Sequence, residues 1–142
     1  MLKSEIETII YDMEKVAQLF EIAPFDIYLL GGAACILGDY TTRATMDYET
    51  TILSPYYKAR AAKLEQFTYL NIYILSIEDI IISKIIRLEA KDIEDIDALM
   101  HRADKALLRA IIDDVLSRED LAESKKQGFV SKLPVFKEKY YV

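Results

Sequence analysis

Cysteine and histidine each occur once in this sequence, as Cys35 and His101. One cysteine cannot close an intrachain disulfide, and one histidine beside it cannot complete a usual zinc ligand set. Disulfide scaffolds, zinc enzymes and triads needing more than one histidine are therefore excluded. Long apolar runs are also missing: the longest uncharged one, Ile27 to Gly38, has twelve residues, against the roughly 20 that cross a bilayer. Lys3 is followed at once by Glu5 and Glu7, where a signal peptide needs an unbroken apolar stretch. A cytoplasmic protein without a membrane partner is the expectation. Positive charge is the scarcer sign, with 18 Lys plus Arg against 24 Asp plus Glu and a net charge of -6. That balance repels phosphate backbones at long range and disfavours a general nucleic-acid coat protein.

What is present suits one globular domain spanning residues 1–142. Apolar types make up 52% of the 142 residues and charged types 30%, which supports a single core and leaves little room for disorder. No internal repeat or low-complexity linker interrupts it.

Ile6, Ile9, Ile10, Met13, Val16, Ala17 and Phe20 recur at helical intervals behind a Ser4–Glu7 capping box, predicting a helix over about 4–21. Phe25 to Leu30 reads as a buried strand running into Gly31-Gly32, then a short helix from Ala33 to Leu37. Thr45 to Leu53 favours a second strand through its β-branched and aromatic residues, ended by Pro55. Tyr56 to Gln66 reads as a helix. Phe67 to Leu75 alternates, with Leu70, Ile72 and Ile74 on one face and Tyr69, Asn71 and Tyr73 on the other, which predicts a third strand. Ser76 and Asp79 form a capping box opening a helix to about Ala90, and Asp92 can cap another over Ile93 to His101. Helices over Lys105 to Leu116 and Arg118 to Gln127 follow, the second stopped by Gly128. Pro134 is expected to forbid one long helix in the basic, aromatic tail. Short strands with helices between and mostly after them make an α+β arrangement.

Three constellations could carry chemistry. On a strand, Asp47 and Glu49 point to the same face, a converging pair for hard cations. Gly31 and Gly32 ahead of a helix let backbone N–H groups approach a phosphate. With Arg43 between them, these are parts of a metal-triphosphate site, although an isolated D-x-E is more simply the solvated face of an edge strand. Second, Lys84 falls inside the apolar arc of Ile77, Ile81, Ile85 and Leu88, with Arg87 and Lys91 on its flank. It either meets a phosphate, or snorkels past the isoleucines or pairs with a core carboxylate. Its ammonium is expected to share a cleft with Asp47 and Glu49 and to pair with one of them. Third, Asp92 and Asp95 lie one helical turn apart, which suits a cap and the helix dipole as well as a catalytic role.

The order strand, Gly31-Gly32, short helix, Arg43-x-Thr45-x-Asp47-x-Glu49, strand, then Glu78-Asp79-x4-Lys84-x2-Arg87-x3-Lys91-Asp92-x2-Asp95 resembles the nucleotidyltransferase fold of the DNA polymerase beta superfamily. Within it, the chain resembles small prokaryotic relatives of the abortive-infection type IV nucleotidyltransferase toxins. The resemblance covers about residues 25–102, within a core of about 22–102 followed by a helical extension over 103–142. It implies a small mixed sheet covered by helices, with a helical C-terminal part. It further implies that Gly31 and Gly32 hold the triphosphate of an NTP, that Asp47 and Glu49 bind Mg²⁺, and that Lys84 contacts phosphate. Arg43, Thr45, Arg87, Asp92 and Asp95 are the further candidate nucleotide-binding residues, Asp92 and Asp95 matching the later acidic motif. The implied reaction is Mg²⁺-dependent transfer of a nucleoside monophosphate to an acceptor hydroxyl on RNA or protein, with Asp47, Glu49 and Lys84 as candidate catalytic residues. Ala33 and Ala34 stand where the family has a serine beside its diglycine, and Glu49 where aspartate is commoner. Where it takes a third carboxylate from the next core strand, this sequence offers Tyr69, Asn71 and Tyr73. That departure favours an alternative, a catalytically impaired relative that binds nucleotide or a protein partner in a toxin-antitoxin or defence setting. A structural dimerising module is a third possibility.

Overall fold

A computed structural model describes residues 2–40 and 52–142. These fall into two compact units, one of residues 2–40 with 58–75 and the other of 52–57 with 76–142. The class is α+β, with a small mixed sheet.

In the first unit, helix α1 (Lys3–Leu19) precedes strand β1 (Asp26–Leu29) and helix α2 (Gly31–Leu37). The Ser4 cap expected for α1 is replaced two residues earlier, at Leu2, whose N–H donates to the Glu5 carboxylate at 2.6 Å. Helix α2 opens at Gly31 rather than Ala33, because Leu30 is extended and Gly31 takes a φ of 60°. That left-handed turn favours glycine.

The helix expected over Tyr56 to Gln66 is a single turn, α3 (Tyr57–Arg60), followed by strand β2 (Ala62–Lys63). Ala62 and Lys63 lie antiparallel to Ile74 and Tyr73 of strand β3 (Asn71–Ile74), and the Leu64 N–H donates to the Ile72 carbonyl at 2.8 Å. The helix-forming composition of this stretch yields to the unpaired backbone edge of β3, which a helix would leave unsatisfied. Strand β3 also pairs with β1, in parallel, Ile27 opposite Ile72 and Tyr28 opposite Tyr73. The sheet order is β1-β3-β2.

Strand β3 is shorter than the expected Phe67 to Leu75. The N–H groups of Tyr69 and Leu70 donate to the Glu14 carboxylate of α1, at 2.5 and 2.7 Å, in place of a strand neighbour. Leu70, Ile72 and Ile74 are buried, as the alternation requires. The strand expected over Thr45 to Leu53 lies mostly outside the described residues, and its last two, Ile52 and Leu53, are not in a strand.

The second unit is helical. Helix α4 (Ile77–Ile85) packs against α5 (Ala90–Met100), α6 (Lys105–Leu116) and α7 (Glu123–Tyr140). All residues from Glu78 to Ile85 are buried, the mark of a central helix rather than a one-sided amphipathic one. Ser76 caps it as expected, accepting from the Asp79 N–H at 3.1 Å. The helix stops five residues short of Ala90, where Leu88 takes a φ of 49°. Helix α5 begins three residues before the expected Ile93, since Asp92 sits in its first turn and reaches back to the Glu89 N–H at 3.0 Å. Asp92 therefore closes the turn from inside the helix.

Helix α6 has the expected bounds, capped by Asp104, which accepts from the Ala106 and Leu107 N–H groups. Helix α7 corrects two expectations together, beginning at Glu123 and running through Gly128 and Pro134. Phe129, Leu133, Phe136 and Tyr140 recur at helical spacing and are buried. Pro134 and Val130 are both exposed, so the Val130 carbonyl that Pro134 cannot satisfy faces water. Burial of the stripe outweighs the proline cost.

Candidate functional site

Four of the residues singled out by the sequence meet in the second unit. Helix α4 supplies Lys84, the turn after it Arg87, and helix α5 Asp92 and Asp95. Two helices in van der Waals contact bring the first basic pair onto the second acidic pair. The Lys84 ammonium lies 2.9 Å from Asp95 Oδ2 and 3.8 Å from Asp92 Oδ1. Arg87 grips Asp92 with two parallel bonds of 2.7 Å, from Nε and one terminal nitrogen, the fork geometry that suits guanidinium and carboxylate. Lys84 is 6% exposed and Asp92 1%, whereas the Arg87 side chain keeps 21% of its surface in solvent.

Burial alone pushes the Asp92 carboxyl up. The hydrogen bonds from Arg87 and the Glu89 N–H, together with the Arg87 and Lys84 charges, outweigh it and hold the group below the usual carboxylate range. Asp92 is thus an anion whose compensation is built in. Lys84 takes the second of the roles open to it from sequence, pairing with core carboxylates. The partners expected for it, Asp47 and Glu49, lie outside the described residues, as do Arg43 and Thr45.

Gly31 and Gly32 belong to the first unit, at the junction of β1 and α2. Beside them on the sheet, Tyr28 and Tyr73 are register partners whose rings stack at 4.8 Å and 11°. The Lys58 ammonium stands 5.3 Å from the Tyr28 ring centre, a cation–π distance. The described residues of β3 carry no acid.

Among the described residues no group of three or more His, Cys, Asp or Glu could hold a metal ion. Asp92 and Asp95 do not fit that task, because Arg87 and the Glu89 N–H hold both Asp92 oxygens and Lys84 neutralises Asp95 through Oδ2. Asp47 and Glu49, two hard carboxylates two residues apart, have the donor chemistry that Mg²⁺ requires.

The packing roles of several polar groups escaped the sequence reading. Glu14 follows Ile10 at helical spacing inside the apolar series of α1, so its position in the arc was the available signal. The Glu78 carboxylate accepts from the Asp104 N–H at 2.8 Å, tying α4 to the start of α6. Arg118 donates to the Leu53 carbonyl at 2.7 Å and chelates Asp120. Nothing local in sequence announces these long-range contacts.

No helix among the described residues is long and apolar enough to cross a membrane. Neither the curated proteins nor the solved structures yield a match to this chain. A family profile described as a nucleotidyltransferase of unknown function matches residues 48–141. The match starts just after Asp47, includes Glu49, and takes in the whole Lys84, Arg87, Asp92 and Asp95 cluster. Since it covers about two thirds of the 142 residues, the chain belongs to this nucleotidyltransferase family (DUF6036).

Proposed function

We propose that this protein is a Mg²⁺-dependent nucleotidyltransferase that moves a nucleoside monophosphate from an NTP to an acceptor hydroxyl on RNA or protein, related to the small abortive-infection type IV enzymes. The observation that carries the reading is the family membership over residues 48–141. The β1–Gly31–α2 turn, with its left-handed glycine, supports it from the part of the chain upstream of that match.

The acceptor hydroxyl loses its proton to solvent as its oxygen forms a bond to the α-phosphorus, the bond to the bridging oxygen breaks, and pyrophosphate leaves. Gly31 and Gly32 hold the triphosphate through backbone N–H groups. Asp47 and Glu49 would hold Mg²⁺, which when bound offsets the triphosphate charge. Arg87, paired with Asp92 and with a side chain 21% exposed, is a further candidate contact for a phosphate. Lys84, whose ammonium pairs with Asp95 and fixes α4 against α5, is the phosphate contact that the resemblance implies.

One observation favours a second reading. Strand β3 carries Asn71 and Tyr73 where the resemblance calls for the carboxylate that takes the acceptor proton. A relative lacking that base binds nucleotide, or a protein partner in a toxin-antitoxin or defence setting, without transfer.

A thermal-shift screen of the four NTPs with and without Mg²⁺, followed by incubation with α-labelled NTP and cellular RNA or protein, separates the two. Ligand at about 100 times its Kd adds roughly 2.7 kcal/mol of stability, an upward shift of several degrees. A Mg²⁺-dependent shift with label transfer supports the first reading. A shift without transfer supports the second, and no shift with any NTP refutes nucleotide binding in both.

A further inference from the structure

Helix α1 carries one apolar arc, and the first unit uses only half of it. Ile6, Ile10 and Ala17 are buried, while Ile9, Met13, Val16 and Phe20 stay in solvent. Leu19, at 77% exposure, and Phe20, at 69%, extend this open half at the C-terminal end of the helix. Ile22 and Phe25 continue it towards β1. The open half is concave, a groove of about 470 Å³ lined by Ile9, Met13, Val16, Ala17, Ile22 and Phe25. Its remaining lining residue, Asp12, lies 3.6 Å from the Lys15 ammonium. At roughly 200 Å² for each aromatic side chain and somewhat over 100 Å² for each aliphatic one, the exposed fractions leave on the order of 600 Å² of apolar surface here. That stands at the upper end of the largest patch on a typical monomer, about 300–600 Å².

We propose that this face is the two-fold interface of a homodimer, α1 packing antiparallel on α1 of a second copy. Two features point to a second copy as the occupant. The first is spacing: Ile9, Met13, Val16 and Phe20 are separated by 4, 3 and 4 residues, a series that reads the same in both directions. Antiparallel pairing then sets Phe20 against the partner's Ile9 and Met13 against the partner's Val16, each contact occurring twice, as a closed two-fold requires. A protruding Phe20 meets the groove end that Ile9 and Met13 line. The second feature is area, since on the order of 600 Å² per partner, about 1,200 Å² in total, reaches the lower end of a standard stable interface. The proposal is independent of nucleotide chemistry.

Sedimentation equilibrium and light scattering on the full chain between 1 and 100 μM (order-of-magnitude limits for such affinities) test it. The expected result is a species of twice the 16.3 kDa chain mass. Val16→Glu and, separately, Phe20→Ser replace exposed side chains and should weaken self-association roughly 100-fold with an unchanged thermal midpoint of the monomer. Val135→Glu, on an exposed position of α7, should leave the dimer intact. A wild-type monomer at 100 μM, or a dimer that both Val16→Glu and Phe20→Ser leave undiminished, would overturn the proposal.

Discussion

Lys84 and Asp95 form a buried ion pair, 2.9 Å between Nζ and Oδ2, that joins α4 to α5. Removing one partner leaves a buried carboxylate without its charge, which costs about 3–5 kcal/mol. Lys84→Met should therefore lower the urea midpoint sharply, even though it preserves the apolar stem. Adding Asp95→Leu should recover most of the loss, because burying two apolar groups has no desolvation penalty. A Lys84→Met protein as stable as wild type would mean that the pair contributes nothing.

Asp92 ties stability to acid. Its folded pKa lies below the ordinary carboxylate value, so the unfolded chain binds the proton first as pH falls. Its contribution is complete above the unfolded value, near 4, and disappears as pH drops through the folded one. Urea midpoints measured from pH 6 down to pH 2 should decline, and Asp92→Asn should be less stable at pH 6 yet decline less below about pH 4.

Gly31 gives a conformational test free of steric complication. A Cβ there meets nothing within 4 Å, so Gly31→Ala is opposed only by the φ of 60°. The expected cost is about 1–2 kcal/mol in denaturant titration, with Gly31→Asn milder because asparagine tolerates that region.

Pro134 offers the reverse sign. It lies on the exposed side of α7, so Pro134→Ala restores a hydrogen bond to the Val130 carbonyl and should stabilise the protein by about 1–3 kcal/mol. Thermal unfolding of the two proteins checks it.

Sequence pattern carried the fold where one face alone decides it. Leu70, Ile72 and Ile74 alternate into the core, and α6 keeps its expected bounds because Asp104 caps it and its apolar stripe ends at Leu116. It failed where a distant group competes for the backbone. Glu14 takes the amides of Tyr69 and Leu70 and shortens β3, while the edge of β3 draws Ala62 and Lys63 out of a helix. Pro134 misled because a local rule was applied without the buried stripe that overrides it. At the candidate site, Lys84 was conspicuous as a cation in an apolar arc and Asp92 and Asp95 as acids one turn apart. Their pairing needed the α4–α5 packing, which periodicity does not specify.

The parallel pairing of β1 with β3 has a practical bearing on where this family's boundary is drawn. The matched stretch begins at residue 48, yet the strand that flanks β3 and the carboxylate that holds its first amides come from residues 14–29. A polypeptide cut at residue 48 would present Asn71 to Ile74 with a bare strand edge on the side that β1 fills. Such an edge recruits its like from other molecules, so the shortened chain would aggregate more readily than the full one.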